Sequence, residues 1–408
     1  MKILVSAYAC EPERGSEPGV GWNFVREMAQ LHELWVITRS ANTKAIDIFS
    51  ESHDLPTIHW IYFDLPSWVP FFKRFDRLEF VYYFIWQLAI YPVVKKMHKK
   101  IAFDLAHHIT FVTYWMPTLL CLLPIPFVWG PVGGGEAVPK PILRVLPFKG
   151  RLSEHFRLII HKIFEMNPLL RWTAKKSDII LATSPETMRR IQHLTTNKCI
   201  IWSQVGVPDQ EFKWLSKTPF KDTGPFTIFS AGELKYFKAY HLAIASFALF
   251  LKNNPEAQYW IFGAGPANES LLEICRTFHI EHQVIFVGMV NRKDFLKSLV
   301  HCDIFLHPSL HESGGWVIAE ALSAGRPVIC LDVGGPGLQV DETNGRKIRP
   351  LSSAYIVEQI ADALESLSTD LEKRKQIYHQ SIEGIRMNYL WSKKILQFDR
   401  LYYELKKT

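Results

Sequence analysis

The sequence has no CxxC pair and no Cys/His group at zinc-binding spacing; its cysteines, Cys10, Cys121, Cys199, Cys275, Cys302 and Cys330, lie far apart. A small disulfide-stapled or zinc-finger module is therefore excluded, and a reduced, cytoplasmic setting is expected. There is no Asp-x-Asp pair and no His/Asp/Glu set of catalytic-metal type, so no metal and no cofactor are expected. An unbroken apolar span is missing too: the stretch from Phe80 to Val94 is short, and Phe111 to Gly135 is interrupted by Pro117, Pro124, Pro126 and Pro131. No transmembrane helix is predicted. The opening MKILVSAYAC lacks the apolar core and cleavage site of a signal peptide and reads as a first strand. Gly15, Gly19 and Gly21 do not complete a G-x-G-x-x-G, because Phe24 holds the last position, which disfavours a nicotinamide dehydrogenase. Short-period repeats and low-complexity runs are also absent.

What the chain does have is an ordinary globular composition. It has 408 residues, 48% hydrophobic and 21% charged, enough for two or three domains with real cores. Short apolar runs alternate with helix-like segments. KILVSAYA, LWVITR, IHWIYF, DLAHHIT, PFVWGPV and DIILATS fill the first half; FTIFSAG, QYWIFGAG, QVIFVG, DIFLHPS and RPVICLD fill the second. Most are continuously apolar, as strands covered on both faces would be. The expectation is an α/β protein with two Rossmann-like domains of parallel sheet facing across a cleft. Residues 1–208 form the first, completed by a C-terminal helix at 389–408, and residues 209–388 form the second. The stretch VGVPDQEFKWLSKTPFKDTGP reads as their connection.

The densest chemistry lies in DIFLHPSLHESGGWVIAEALSAGRPVICLDVGGPG. A strand ends near His307, a polar turn follows, and Gly314 and Gly315 open a helix that Gly325 and Pro327 close. Amide N–H groups at such a helix mouth can hold an anion. Glu312 and Glu320, with seven residues between them around the mouth, can each accept two hydrogen bonds from a vicinal diol such as a sugar edge.

HESGGWVIAEALSAGRPVI resembles the donor-binding signature of family 4 retaining glycosyltransferases, also called group 1, which have the GT-B fold. Glu312, Gly315, Glu320, Gly325, Pro327 and Val328 fit, while Gly314 stands where an aromatic is common. The resemblance implies that Glu320 binds a nucleotide ribose and Glu312 the transferred sugar. Ser313, Gly314, Gly315, Trp316 and Val317 would meet the sugar and diphosphate. FSAGELKYFKAYHLAIASFALF resembles the family's G-R-L-x-x-x-K-G segment, with Gly232, Leu234 and Lys238 matching. Lys238 is the implied phosphate cation, since a lysine point charge suits phosphate. Glu233 replaces the usual arginine and Ala239 the usual glycine, with Lys235 as a compensating cation. Gly263 and Gly265 in WIFGAGP, and Gly288 and Val290 in FVGMVNRKDF, fall where the family's base-contacting turns lie.

In the first half the resemblance places the loop carrying Gly15, Ser16, Glu17, Gly19 and Gly21 beside acceptor and phosphate. DLAHHITF resembles the family's D-x-x-H strand end, which implies a histidine at the donor sugar or acceptor. His107 and His108 point to opposite faces of a strand, and the spacing selects His107. Gly134 and Glu136, after another strand, are expected to line the same cleft.

Charge is concentrated. Residues 66–176 hold sixteen Lys or Arg against six Asp or Glu, an excess of ten in a chain of net +7, so the remainder is net negative by three. These cations, Lys73, Arg74 and Arg77 among them, alternate with aromatics, which suits an anionic membrane surface. No nucleic-acid recognition motif accompanies them. The expected protein is a cytoplasmic, metal-independent, retaining glycosyltransferase at the inner face of the plasma membrane. It would use a UDP- or GDP-sugar and a glycan or lipid-linked acceptor in surface polysaccharide or glycolipid synthesis. Catalytic roles fall to His107, Glu312 and Lys238. A nucleotide-sugar hydrolase or epimerase of the same fold, or a catalytically weak nucleotide-sugar-binding subunit, remains open.

Overall fold

Strands that are apolar at every position rather than at alternate ones need cover on both faces, and parallel sheets flanked by helices supply it. The computed structural model describes residues 1–53, 55–66, 79–111, 113–144 and 146–407. Lys73, Arg74 and Arg77 lie outside the described residues. The chain divides into two units, Met1–Gly135 with Ile159–Gln204 and Trp391–Thr408, and Glu136–Leu158 with Val205–Leu390.

The first unit holds β1 (Lys2–Ala7), β2 (Glu33–Thr38), β3 (Ile58–Tyr62), β4 (Leu105–Thr110), β5 (Phe127–Val132), β6 (Ile179–Ala182) and β7 (Cys199–Ile201). They form one parallel sheet in the order β3-β2-β1-β4-β5-β6-β7. The second holds β8 (Thr227–Ala231), β9 (Gln258–Phe262), β10 (Val284–Gly288), β11 (Ile304–His307), β12 (Val328–Leu331) and β13 (Gly345–Ile348), again parallel, in the order β10-β9-β8-β11-β12-β13. The α/β class with two parallel-sheet, Rossmann-like domains is as the sequence predicts. β7 and β13 are additions: CII is short, and GRKI is half cationic, so neither reads as an apolar run.

Strand alternation divides the second core between the two faces of its sheet. Ile228, Ile304 and Leu306 join one buried cluster, while Phe229 and Phe305 join another with Ile318 and Leu322. Each such fully buried side chain contributes about 1.5–3 kcal/mol. In the first unit the helix Trp391–Lys407 buries Trp391, Ile395, Phe398, Leu401 and Tyr402. The Phe398 ring lies 5.2 Å from Phe24 and 4.6 Å from Trp202.

Three expectations change. Ser16–Met28 is a helix, so Gly19 and Gly21 belong to a packed helix rather than to the expected loop. A Cβ on Gly21 would stand 2.1 Å from the Ala9 carbonyl oxygen, so close packing rather than loop flexibility requires glycine there. The segment Glu136–Leu158 belongs with the second unit, although the sequence places it in the first. Finally, His107 is wholly buried, with Nδ1 against the Tyr402 hydroxyl and Nε2 2.5 Å from the Gly130 carbonyl oxygen. Burial pulls its imidazole down to about 3, against the Gly130 hydrogen bond. Its ring packs at 5.1 Å from Phe24, so its place is in the hydrophobic core and not at a substrate.

Lys394 on the C-terminal helix is also buried, donating from Nζ to the Ser203 carbonyl at 2.6 Å, and burial pushes its ammonium down to about 7. Between about 7 and the ordinary 10.5 the unfolded chain binds the proton that the folded chain has released, so stability rises with pH across that window. Lys394→Met is expected to raise the melting temperature most below pH 7, with the gain shrinking towards pH 10. Equal gains at both ends, measured by thermal denaturation, would contradict this.

Candidate active site

In the second sheet β8 is the first strand in sequence and has β9 on one side and β11 on the other. The strand order reverses there, and loops leaving the carboxyl ends of adjacent strands diverge to leave a ligand crevice. After β8 the chain passes Gly232, whose N–H donates to the Phe262 carbonyl, and makes a single 3-10 turn at Tyr236–Lys238. Ala239 then adopts φ +52°, the left-handed conformation that accounts for a glycine at this position in the resembled motif. That reversal turns Lys238 towards the loop after β11.

There Lys238 Nζ donates to Glu312 Oε2 at 2.6 Å, and His307 Nε2, at the last residue of β11, lies 2.7 Å from the same oxygen. Burial would lift the Glu312 carboxyl, but the charges and hydrogen bonds of Lys238 and His307 outweigh it and hold it well below the usual carboxylate range. Glu312 is thus an ionised acceptor with one oxygen shared by two donors.

Gly315 caps the following helix, Trp316–Ser323, at φ +92°, a conformation that side chains other than glycine rarely adopt. Gln339 Nε2 donates to the Gly314 carbonyl at 2.6 Å, and the Gly335 N–H donates to the Glu312 carbonyl at 2.9 Å. The Gly334–Gln339 helix thereby fixes the turn from Glu312 to Gly315. The first amides of the helix lack intrahelical acceptors, which leaves Trp316 and Val317 N–H groups suited to an anion.

One turn into the helix, Glu320 is 4% exposed, and its Oε1 accepts from Arg292 Nε at 3.0 Å and Nη2 at 2.6 Å. Arg292 also grips Glu211, Nη2 to Oε1 at 2.6 Å with Nη1 paired to Oε2. Burial raises the Glu320 carboxyl and the Glu211 charge adds to that, while Arg292 opposes it; the net direction is upward. Two carboxylates hold the guanidinium above its ordinary range despite its burial.

Of the residues expected at the donor, the second unit therefore joins Lys238 to Glu312. It also sets Gly232, Gly263 and Gly288 at the ends of the neighbouring strands β8, β9 and β10, with the Gly263 N–H donating to the Gly288 carbonyl at 2.8 Å. Gly265 packs on the Leu234 backbone, and Val290 packs against the cluster containing Phe295. Lys235 is different: its Nζ pairs with Glu233 Oε2 at 2.7 Å, both side chains about half exposed, so Glu233 cancels the compensating charge. Glu136, expected with the acceptor, is 3% exposed within the second unit and accepts from Ser313 Oγ at 2.7 Å. In the first unit Gly15, Ser16 and Glu17 stand at the start of the first helix. His108 is buried with Nε2 3.2 Å from the Tyr83 hydroxyl, and burial lowers its imidazole to about 4. Gly134 lies near the Trp115 indole nitrogen.

Sequence reasoning missed His307, Arg292, Glu211 and Gln339. His307 had a signal, its place at the end of a strand just before the Glu312 turn. Arg292 sits two residues beyond Val290 in a segment read only for its glycine turn. Glu211 comes from the connection between domains, and no local pattern links it to Glu320.

Residues 212–383 match the family model described as Glycosyl transferases group 1. An uncharacterized glycosyltransferase of Methanocaldococcus jannaschii is 28% identical over 165 residues, covering 40% of this chain and 41% of that protein. The phosphatidylinositol N-acetylglucosaminyltransferase gpi3 subunit of Schizosaccharomyces pombe is 30% identical over 165 residues, covering 40% of this chain and 35% of its own. The match thus spans about two fifths or less of these curated relatives. Among solved structures, Anabaena HepE in complex with UDP superposes with a TM-score of 0.62 at 16% identity, over 99% of this chain and all of that one. The fold is therefore that of the GT-B glycosyltransferases.

Removing Arg292 leaves buried Glu320 and partly buried Glu211 without their shared cation. Arg292→Ala is expected to cost about 3 kcal/mol of stability at pH 7, with Arg292→Lys recovering part of it. The loss should shrink as pH falls, because burial raises the Glu320 pKa and its protonation removes one of the two charges that Arg292 neutralised. A melting temperature unchanged from wild type at pH 7 would contradict the triad.

Proposed function

We propose that this chain, whose residues 212–383 are a group 1 glycosyltransferase domain, transfers a sugar from a nucleoside-diphosphate sugar to a glycan or lipid-linked acceptor with retention of anomeric configuration. The observation that carries the reading is the meeting of Lys238, Glu312 and His307 beside the mouth of the Trp316–Ser323 helix. Lys238 and the helix amides supply positive charge for a diphosphate. Ionised Glu312 supplies an acceptor for sugar hydroxyls. Glu320, at the next turn, supplies a carboxylate for a ribose diol. HepE, a neighbour in fold, is described in complex with UDP, which supports a uridine nucleotide as the first donor to test.

In the reaction we infer, the bond between the anomeric carbon and the diphosphate oxygen breaks. The acceptor hydroxyl then bonds to the same face of that carbon and gives its proton to the departing phosphate oxygen. Charge building on the leaving group is met by Lys238 and the helix amides, a preorganised electrostatic stabilisation that is the main catalytic contribution. This scheme calls on no metal or cofactor. His107 has no substrate contact in it and serves the core around Tyr402 and Phe24. The cation excess of residues 66–176 supports work at the inner face of an anionic membrane and an acceptor held there, in surface polysaccharide or glycolipid synthesis.

The Glu233–Lys235 pair favours a second reading, a donor-binding subunit with weak turnover, because the diphosphate region carries one fewer net cation than the resembled motif. Tight donor binding without transfer or hydrolysis would select it.

A thermal-shift panel of UDP-, GDP- and ADP-sugars tests the donor site, since a ligand that binds only the folded state raises its apparent stability. One nucleotide class is expected to stabilise the protein, and Glu320→Ala to abolish that shift; an undiminished shift would remove the ribose assignment. Proton NMR of the product should show the donor's anomeric configuration, and an inverted product would overturn the same-face mechanism.

A further inference from the structure

The helix Phe148–Glu165 carries large apolar side chains at Phe148, Leu152, Phe156, Ile159 and Ile163. At about 100° per residue these positions fall on one stripe roughly 80° wide. All of them face solvent, with exposures of 70%, 59%, 61%, 55% and 61%, and Met166 just beyond is 75% exposed. Soluble proteins rarely leave a contiguous apolar stripe uncovered without a partner for it. The opposite face is occupied: Glu154 and His161 are buried, and Glu154 accepts from Arg157 Nη2 at 2.9 Å and pairs with His311 Nε2 at 2.9 Å. The helix is therefore anchored by its polar side and shows its apolar side.

The charges around the stripe indicate what covers it. Lys149 borders it on one side, and Arg151, His155 and Lys162 border it on the other. From residue 148 to 176 every charged residue in the exposed class is a cation, namely Lys149, Arg151, Lys162, Arg171, Lys175 and Lys176. Glu154 is buried and Glu165 accepts from Arg190 Nη1 and the Tyr114 hydroxyl, both at close hydrogen-bond distance. Trp172, an interfacial residue type, is 55% exposed in the same stretch. An apolar stripe flanked by cations that have no ion-pair partner among the described residues matches an anionic bilayer, with the side chains at the headgroup boundary and the cations at lipid phosphates. No helix of the described residues is long and apolar enough to cross a membrane, so a helix lying in the interface is the fitting geometry.

We infer that the Phe148–Ile163 stripe is a docking face for an anionic lipid surface. The inference rests on the membrane reading above and narrows it from residues 66–176 to one helix face; it is independent of the donor chemistry. Four of the exposed stripe residues, Leu152, Phe156, Ile159 and Ile163, suit mutation because changing them leaves the buried face intact.

The test is co-sedimentation of the full chain with vesicles of phosphatidylglycerol and phosphatidylcholine, and with phosphatidylcholine alone, at low and high salt. Wild type is expected to bind the anionic vesicles and to release at high salt. Leu152→Ser/Phe156→Ser/Ile159→Ser/Ile163→Ser should weaken that binding by about tenfold or more, as should Lys149→Glu/Arg151→Glu/Lys162→Glu. The melting temperature of both variants should stay at the wild-type value, which separates lost docking from lost folding. Wild-type binding that the serine variant retains would overturn this face while leaving the membrane reading in place. No binding by wild type would overturn both. A concentration-dependent dimer in analytical ultracentrifugation, abolished by the serine changes while vesicle binding persists, would assign the stripe to a second copy of the chain instead.

Discussion

A carboxylate drawn out of bulk water stays ionised where a cation and hydrogen-bonding partners reach it, and partly buried Glu312 meets that condition through the Lys238 ammonium and the His307 ring nitrogen. The contact constrains much of the second unit. It requires the left-handed turn at Ala239 that aims Lys238, the strand end at His307, and the backbone clamp from Gly335 and Gln339 that holds the Glu312 turn. It also decides the chemistry available. Glu312 has one oxygen engaged by two donors and further lone pairs for hydroxyls, while Lys238 remains a cation beside a helix mouth. Bringing these groups together before any ligand arrives removes the cost of reorganising them during reaction.

The same economy of placement appears at Glu320. Arg292 binds two carboxylates at once, so a residue suited to a ribose diol is held in position by a partner at the start of the helix Arg292–Ser298, with Glu211 bracing that partner from the connecting segment. Apart from Glu211, these groups emerge from the carboxyl ends of β8, β10 and β11 or from the helix after β11, where the reversal of strand order leaves loops free to diverge. Some of the glycines that the sequence offered as ligand contacts also brace this scaffold. A Cβ on Gly263 would stand 2.1 Å from the Gly232 carbonyl oxygen, so the turn after β9 packs directly on the turn after β8.

Much of this was legible in the residues because local chemistry signalled it. Continuous apolar runs marked eleven of the strands, and the spacing of Glu312, Gly315 and Glu320 marked the helix mouth. What escaped depended on distance along the chain. Lys238 and Glu312 could be named separately but not known to touch, since 74 residues separate them. His107 matched a motif by spacing, yet its neighbours are Tyr402 and Phe24 from two distant helices, which enclose it. The resemblance places Gly19 and Gly21 in a loop, but they lie in the helix Ser16–Met28, where close backbone packing requires glycine at Gly21. The cation excess of residues 66–176 was countable, whereas the exposed stripe within it emerges only when burial distinguishes the two faces of one helix.

The claim on which the rest turns is that Lys238 is the cation for a donor diphosphate. Calorimetric titration of UDP and GDP against wild type and Lys238→Met tests it directly. The nucleotide that binds wild type should lose about tenfold or more in affinity, because a charge-assisted hydrogen bond is removed and Glu312 is left as an unneutralised anion beside the phosphates. Equal affinity for both proteins, with the variant folded, would contradict the claim.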